Sequence, residues 1–195
     1  VWNKKIIDLS LSEINTLKEK IESNKFSVSG IRSDLNRKDI SEISFENVRE
    51  EFWKYLKIGQ LFKAKYIVTS SFYASQENKT FYRKELISLF KSMAEIASEK
   101  EITILVENEP DTFCAKSAEC AEIIEAVNSP FFKIAFNPAN FVRCGEKPFG
   151  KVPAHVRRMA LVVYINDVLF SGEPHLPGYG NAEIKELISI LRCWC

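Results

Sequence analysis

Residue order alone predicts an α/β fold whose parallel strands curve into a (β/α) barrel. Three observations carry this expectation. Short β-rich apolar runs alternate with segments of helical periodicity along the whole chain. From residue 66 onward those runs recur roughly every 30 residues, enough for a strand, a helix and two loops, and that repeat sets successive strands parallel. No run is followed by G-x-G-x-x-G or G-x-x-x-x-G-K-[ST], which favours a barrel over a dinucleotide-binding or P-loop sheet.

The elements follow in order. Leu11, Ile14, Leu17 and Ile21 recur at helical spacing behind Ser10, an N-cap with Glu13 three residues later. Residues 26–31 alternate apolar with small or polar and read as a strand. A helix is expected over 45–62, with Phe52, Leu56, Gly59 and Leu61 toward its buried side. Tyr66-Ile67-Val68-Thr69 is a short strand, and 81–97 a long amphipathic helix carrying Leu86, Leu89, Phe90, Met93 and Ile96. Ile102 to Val106 is a nearly continuous apolar run, the pattern of a strand covered on both faces. Further helices are expected over 118–127, 152–158 and 182–191, and strands over 131–136 and 161–165, the last one buried. Phe45, Phe52, Trp53, Phe62, Phe72, Phe81 and Phe90 are assigned to core and strand–helix packing, with Phe72 also suited to a pocket mouth. No Gly- or Pro-rich linker divides residues 1–195, so one domain is expected.

Composition narrows the function. Of 195 residues 46% are hydrophobic, and 27 Lys+Arg against 26 Asp+Glu leave a net charge of +1. Disorder is excluded, and the strong basic field of a sequence-independent nucleic-acid binder is missing. No apolar run nears the roughly 18 residues that span a bilayer, and residues 1–8 lack a signal-peptide core, so a soluble cytoplasmic chain is expected. The five cysteines, Cys114, Cys120, Cys144, Cys193 and Cys195, are odd in number and contain no C-x-x-C pair. Reduced thiols are expected, and Cys193-Trp194-Cys195 offers too few soft ligands for a metal site.

In barrels of parallel strands the chemistry sits at the carboxyl ends of the strands. Polar groups follow each apolar run here: Arg32-Ser33-Asp34, Ser70-Ser71, Glu107-Asn108-Glu109, Asn137-Pro138-Ala139-Asn140 and Asn166-Asp167. Glu107 is the sharpest of them. A carboxylate that ends an otherwise apolar strand is costly to bury unless it is paired, hydrogen-bonded or metal-bound.

At these residues the chain resembles the sugar-phosphate isomerase/epimerase family of xylose isomerase-like TIM barrels, kin to the endonuclease IV type. The resemblance rests on Val1-Trp2-Asn3-Lys4-Lys5 with Asp8-Leu9-Ser10, on Leu105-Val106-Glu107-Asn108-Glu109, and on Val127-Asn128-Ser129-Pro130. It continues through residues 136–142 with 144–148, Tyr164-Ile165-Asn166-Asp167 and Pro177-Gly178-Tyr179-Gly180, in the family's motif order. It implies a divalent metal (Mn, Mg or Zn) held by a Glu, an Asp, a His and a second Glu, and a sugar or sugar phosphate as substrate. The two glutamates would move a proton at the carbon beside a carbonyl while the metal holds the oxygens.

Carried over by position, the first Glu is Glu107, the Asp falls on Asn137 and the His on Tyr164. The family's Lys falls on Asn166, Asp167 is retained, and the second Glu would lie on a strand beyond the last helix. Glu107 is thus the expected catalytic residue, Glu107 and Asn137 the expected metal contacts, and Glu109, Asn140, Tyr164, Asp167, Gly178 and Gly180 the expected substrate contacts. Asn137 adds no charge, and a Tyr phenol keeps its proton to about pH 10, so the metal site reads as degenerate. His175 could substitute as a ligand but reads as exposed, and His155 as surface.

Two readings result: a metal-assisted isomerase or epimerase, or a catalytically inactive relative that binds a small molecule or a partner. An abasic-site endonuclease is set aside, because two histidines cannot furnish its multi-zinc site. A full barrel of this type needs about 250 residues. An incomplete barrel is therefore expected, lacking N-terminal strand(s) and the last strand, with open edges that a homo-oligomer could cover.

Overall fold

A computed structural model describes residues 3–191. The Val1-Trp2 part of the first motif and the Cys193-Trp194-Cys195 segment lie outside them. Five strands, β1 (Gly30–Arg32), β2 (Tyr66–Thr69), β3 (Thr103–Glu107), β4 (Phe132–Phe136) and β5 (Ala160–Val163), form one sheet in sequence order with every pair parallel. The helices are α1 (Leu11–Ser23), α2 (Phe45–Leu61), α3 (Gln76–Phe81), α4 (Arg83–Ser98), α5 (Ser117–Val127), α6 (Pro138–Arg143), α7 (Ala154–Arg158) and α8 (Ile184–Leu191). The sheet is an open half-barrel, as the spacing and length predict.

Strand alternation divides its two faces. Ile31, Ile67, Ile104, Val106, Ile134 and Phe136 point outward and share one buried core with Phe52 and Leu56 of α2, Leu89 and Phe90 of α4, and Ile123 of α5. Full burial of each such side chain stabilises the fold by about 1.5–3 kcal/mol. Val68, Leu105 and Ala135 point to the concave side, with Tyr66, Val162 and Tyr164 packed on them. By the same alternation Arg32 and Glu107 belong to the concave side.

Four expectations are corrected. The first strand begins at Gly30, not at residue 26, because β2 starts only at Tyr66 and Gly30 is its first partner. Phe26 is 72% exposed. The Tyr66 ring lies where a side chain at Gly30 would be, 2.1 Å from a Cβ built there, so a larger residue here would have to displace that ring. The helix expected over 81–97 is α4, Arg83–Ser98, but the short α3 precedes it and takes Phe81, which was assigned to the core. Ser75 caps α3 through the Asn78 N–H, the chain breaks at Tyr82, and Phe81 stands exposed against the Tyr82 ring at 4.8 Å. Trp53 also leaves the core, with the Lys100 ammonium 5.8 Å over its ring. Finally, β5 is an edge strand with Leu161 and Ile165 about half exposed, since β4 is its only neighbour in the sheet.

The Ser10 capping box forms as expected. The Glu13 N–H donates to Ser10 Oγ at 3.3 Å, and the Ser10 N–H donates to Glu13 Oε2 at 2.8 Å. Beyond β5 a small antiparallel pair, β6 (Asp167–Val168) and β7 (Pro174–His175), precedes α8. No helix among the described residues is long and apolar enough to cross a membrane.

Candidate functional site

Glu107 ends β3 on the concave side and is 4% exposed. Three side chains from three other chain segments hold its carboxylate. Asn137, just past β4, donates its Nδ2 to Oε1 at 2.8 Å. Arg32, the last residue of β1, places Nη1 2.7 Å from Oε2. Tyr164, past β5, donates its hydroxyl to the same oxygen at 3.5 Å and accepts from Arg32 Nη1 at 2.9 Å. Burial, with the Glu107 charge beside it, pushes the Tyr164 phenol above its ordinary value, so it stays a donor at neutral pH. Burial works against the Arg32 charge and Glu107 works for it. The guanidinium ends slightly above its usual range and stays charged.

A second layer of amides fixes Asn137. Asn108, fully buried, accepts the Asn137 N–H at 2.6 Å and donates Nδ2 to the Asn137 carbonyl at 2.9 Å. Asn137 caps α6 by accepting the Asn140 N–H at 3.3 Å. Asn140 in turn donates to the Asn108 carbonyl at 2.8 Å and accepts from Arg143 at 2.9 Å. The strand-end run of Asn residues is thus one closed network that sets the Glu107–Asn137 geometry.

Other expected residues lie elsewhere. Glu109 pairs with Arg37 at 2.8 Å. Asp167 is buried, and backbone donors take both its oxygens: the N–H groups of Val168 and Ala182 on Oδ1, those of Gly178 and Gly180 on Oδ2, all within 3.0 Å. Asp167, Gly178 and Gly180 line a separate cavity of about 320 Å³ with Lys147 and Lys185. His175 and His155 are both exposed.

Arg32 was not among the expected site residues. It follows Ile31 at a strand end, and its two-residue offset from Gly30 is the only local sign that it faces inward.

Several buried polar atoms near the strand ends lack a partner among the described residues: Asn36 Oδ1, Thr69 Oγ1, Ser70 Oγ, Glu109 Oε2 and Asn166 Oδ1. Ser70 lies one residue past the Thr69–Val106 pair, which sets it beside Glu107.

The donor set does not fit a divalent metal. Such an ion needs several anionic oxygens or imidazoles. Around Glu107 stand an amide, a protonated phenol and a guanidinium. No group of three His, Cys, Asp or Glu among the described residues could hold a metal.

The family model described as xylose isomerase-like TIM barrel matches residues 2–192. The chain belongs to that family. No curated sequence matches it at a significant level. Among solved structures, a xylose isomerase-like TIM barrel protein of Mycobacterium smegmatis in complex with magnesium is similar, at 17% identity and TM-score 0.76, over 95% of this chain and 69% of its own. An IolI protein with a bound zinc atom gives 16% and 0.75, over 95% and 69%. The 3-keto-D-glucoside 4-epimerase YcjR of E. coli gives 16% and 0.75, over 93% and 73%. At these identities the likeness is one of fold. The fold is that of the xylose isomerase-like barrel, and the chain spans about seven tenths of the length of each of these structures.

Proposed function

We propose that this member of the family binds a sugar-type ligand at the carboxyl ends of β1–β5, with Glu107 at the centre, and that it does so without metal-assisted proton transfer. The observation that carries this reading is the set of buried polar atoms without a hydrogen-bond partner at the strand ends, Ser70 Oγ, Glu109 Oε2 and Asn166 Oδ1 among them, which outnumber those elsewhere among the described residues, Arg83 Nη2 and Arg157 Nε. Buried polar atoms are rarely left unpaired in native folds, and a polyhydroxylated ligand supplies donors and acceptors together.

The residues would act as follows. An ionised carboxylate accepts about four hydrogen bonds. Glu107 already accepts from Asn137, Arg32 and Tyr164, which leaves room for one ligand hydroxyl. Arg32 would hold a ligand oxygen through the donors that Glu107 does not use. Glu107 would have to shed its present partners to act as a base, which supports the binding reading over the isomerase one. The epimerase activity named for one similar structure supports a sugar as the ligand class. A cytoplasmic location and a homo-oligomer closing the open β1 and β5 edges belong to the same proposal.

The test is ligand-detected NMR with a panel of ketoses, aldoses and their phosphates, in buffer containing EDTA. Binding by the native chain that falls at least tenfold in Glu107→Gln is expected. Proton exchange into the substrate's carbon positions once Mn²⁺ or Mg²⁺ replaces the EDTA would overturn the non-catalytic part, and no binding across the panel would overturn the sugar part.

A further inference from the structure

We infer that Arg32 is a built-in cation that takes the place of a divalent metal at Glu107 and bars a metal from it. The mismatch between this chain's donor set and a metal is then an exchange of one cation for another, beyond the mere loss of ligands.

Three observations converge. The guanidinium meets Glu107 Oε2 at 2.7 Å, the oxygen a metal would also need. The same Nη1 donates to the Tyr164 hydroxyl oxygen at 2.9 Å, so the cation is held from two sides. The Arg32 side chain is 47% exposed while that of Glu107 is 5% exposed. Its Nε and Nη2 make no hydrogen bond among the described residues, so one edge of the fork is left for another acceptor.

A metal bonded to a carboxylate oxygen sits about 2.0–2.6 Å from it. At Oε2 that would bring a divalent charge against the guanidinium, with only one carboxylate to screen the two. Glu109, the next carboxylate along the chain, is occupied by Arg37. A planar guanidinium is always charged and needs no anionic ligand set, which suits a site furnished with amides and a phenol.

The inference is tested with metal alone, so its outcome is independent of the sugar panel. Mn²⁺ binding is followed by EPR and calorimetry for four chains: native, Asn137→Asp/Tyr164→His, the same pair with Arg32→Gln, and the same pair with Arg32→Met, which keeps much of the aliphatic stem if the Gln form fails to fold. Circular dichroism confirms folding. No stoichiometric binding by the native chain or the double variant is expected. Binding at least thirtyfold tighter than the double variant is expected once Arg32 is removed. Stoichiometric Mn²⁺ binding by the native chain would overturn the inference. So would a double variant that binds as tightly as the triple, or a folded triple variant that does not bind.

Discussion

Replacing Asp167 by Asn separates a loop-building carboxylate from a ligand contact. In the native chain Oδ1 accepts from Val168 N at 2.9 Å and Ala182 N at 2.8 Å, and Oδ2 from Gly178 N at 2.9 Å and Gly180 N at 3.0 Å. An amide side chain keeps one oxygen and turns the other into a donor. Two N–H groups then face an NH₂. Hydrogen bonds to a charged acceptor contribute about 1.5–3 kcal/mol each. Water reaching the part-buried Gly178 and Gly180 amides offsets some of the loss, so the expected cost is about 2–4 kcal/mol. A chain of this size loses about 2–4 °C in Tm per kcal/mol. The expected drop is therefore about 4–16 °C, measured by circular dichroism, with faster hydrogen exchange in residues 176–187. A Tm within about 1 °C of native with unchanged exchange would refute the loop-building role.

Three further outcomes are expected. Gly180→Ala puts a Cβ 2.3 Å from Asp167 Oδ1 and 2.7 Å from the Val168 carbonyl, so its unfolding midpoint in urea falls further than that of Gly145→Ala, where nothing lies within 4 Å and only the φ of +78° is strained. Glu13 is held down to about 2 by the Lys4 ammonium and then by the Ser10 N–H and hydroxyl. Its folded value lies below the unfolded 4.5, so the α1 cap is fully stabilising above pH 4.5 and is lost as pH falls toward 2, which NMR titration of the Glu13 side chain follows. Cys114 and Cys120 are fully buried, and the Cys114 contact together with burial pushes the Cys120 thiol up. Neither should be alkylated by iodoacetamide in the native chain, as mass spectrometry would read, while both react once it is unfolded.

Legibility in the sequence followed burial. Strands β2, β3 and β4 have neighbours on both sides, so their apolar runs were nearly continuous and their bounds came out within a residue. The errors fell on β1 and β5, where one-sided pairing leaves Leu161 of β5 exposed and lets the strands stop short of Phe26 and Ile165, apolar side chains that the expected strands included. Hydrophobicity cannot distinguish an edge from a centre. Helix α3 went unseen because its six residues carry a single apolar side chain, Phe81, too few to show a period. Ser75, whose capping of α3 is visible only in three dimensions, was the local clue.

The candidate site divides the same way. Glu107 was legible because a carboxylate at the end of an apolar strand is anomalous on its own. Arg32 was not, because an arginine at a strand end is ordinary. Its meaning comes from the curvature of the sheet, which brings it to Tyr164 across 132 positions of sequence. That curvature also constrains any ligand. Glu107 has room for one more donor, and the open Nε/Nη2 edge of Arg32 offers donors only. A ligand that satisfies both must present a hydroxyl hydrogen to the carboxylate and an acceptor oxygen, of a hydroxyl or a carbonyl, to the guanidinium, close together on one molecule. Neighbouring hydroxyls, or a hydroxyl beside a carbonyl, meet that demand, whereas an apolar ligand strips water from the Arg32–Glu107 pair and leaves its remaining hydrogen-bond capacity unfilled, which is the costlier arrangement.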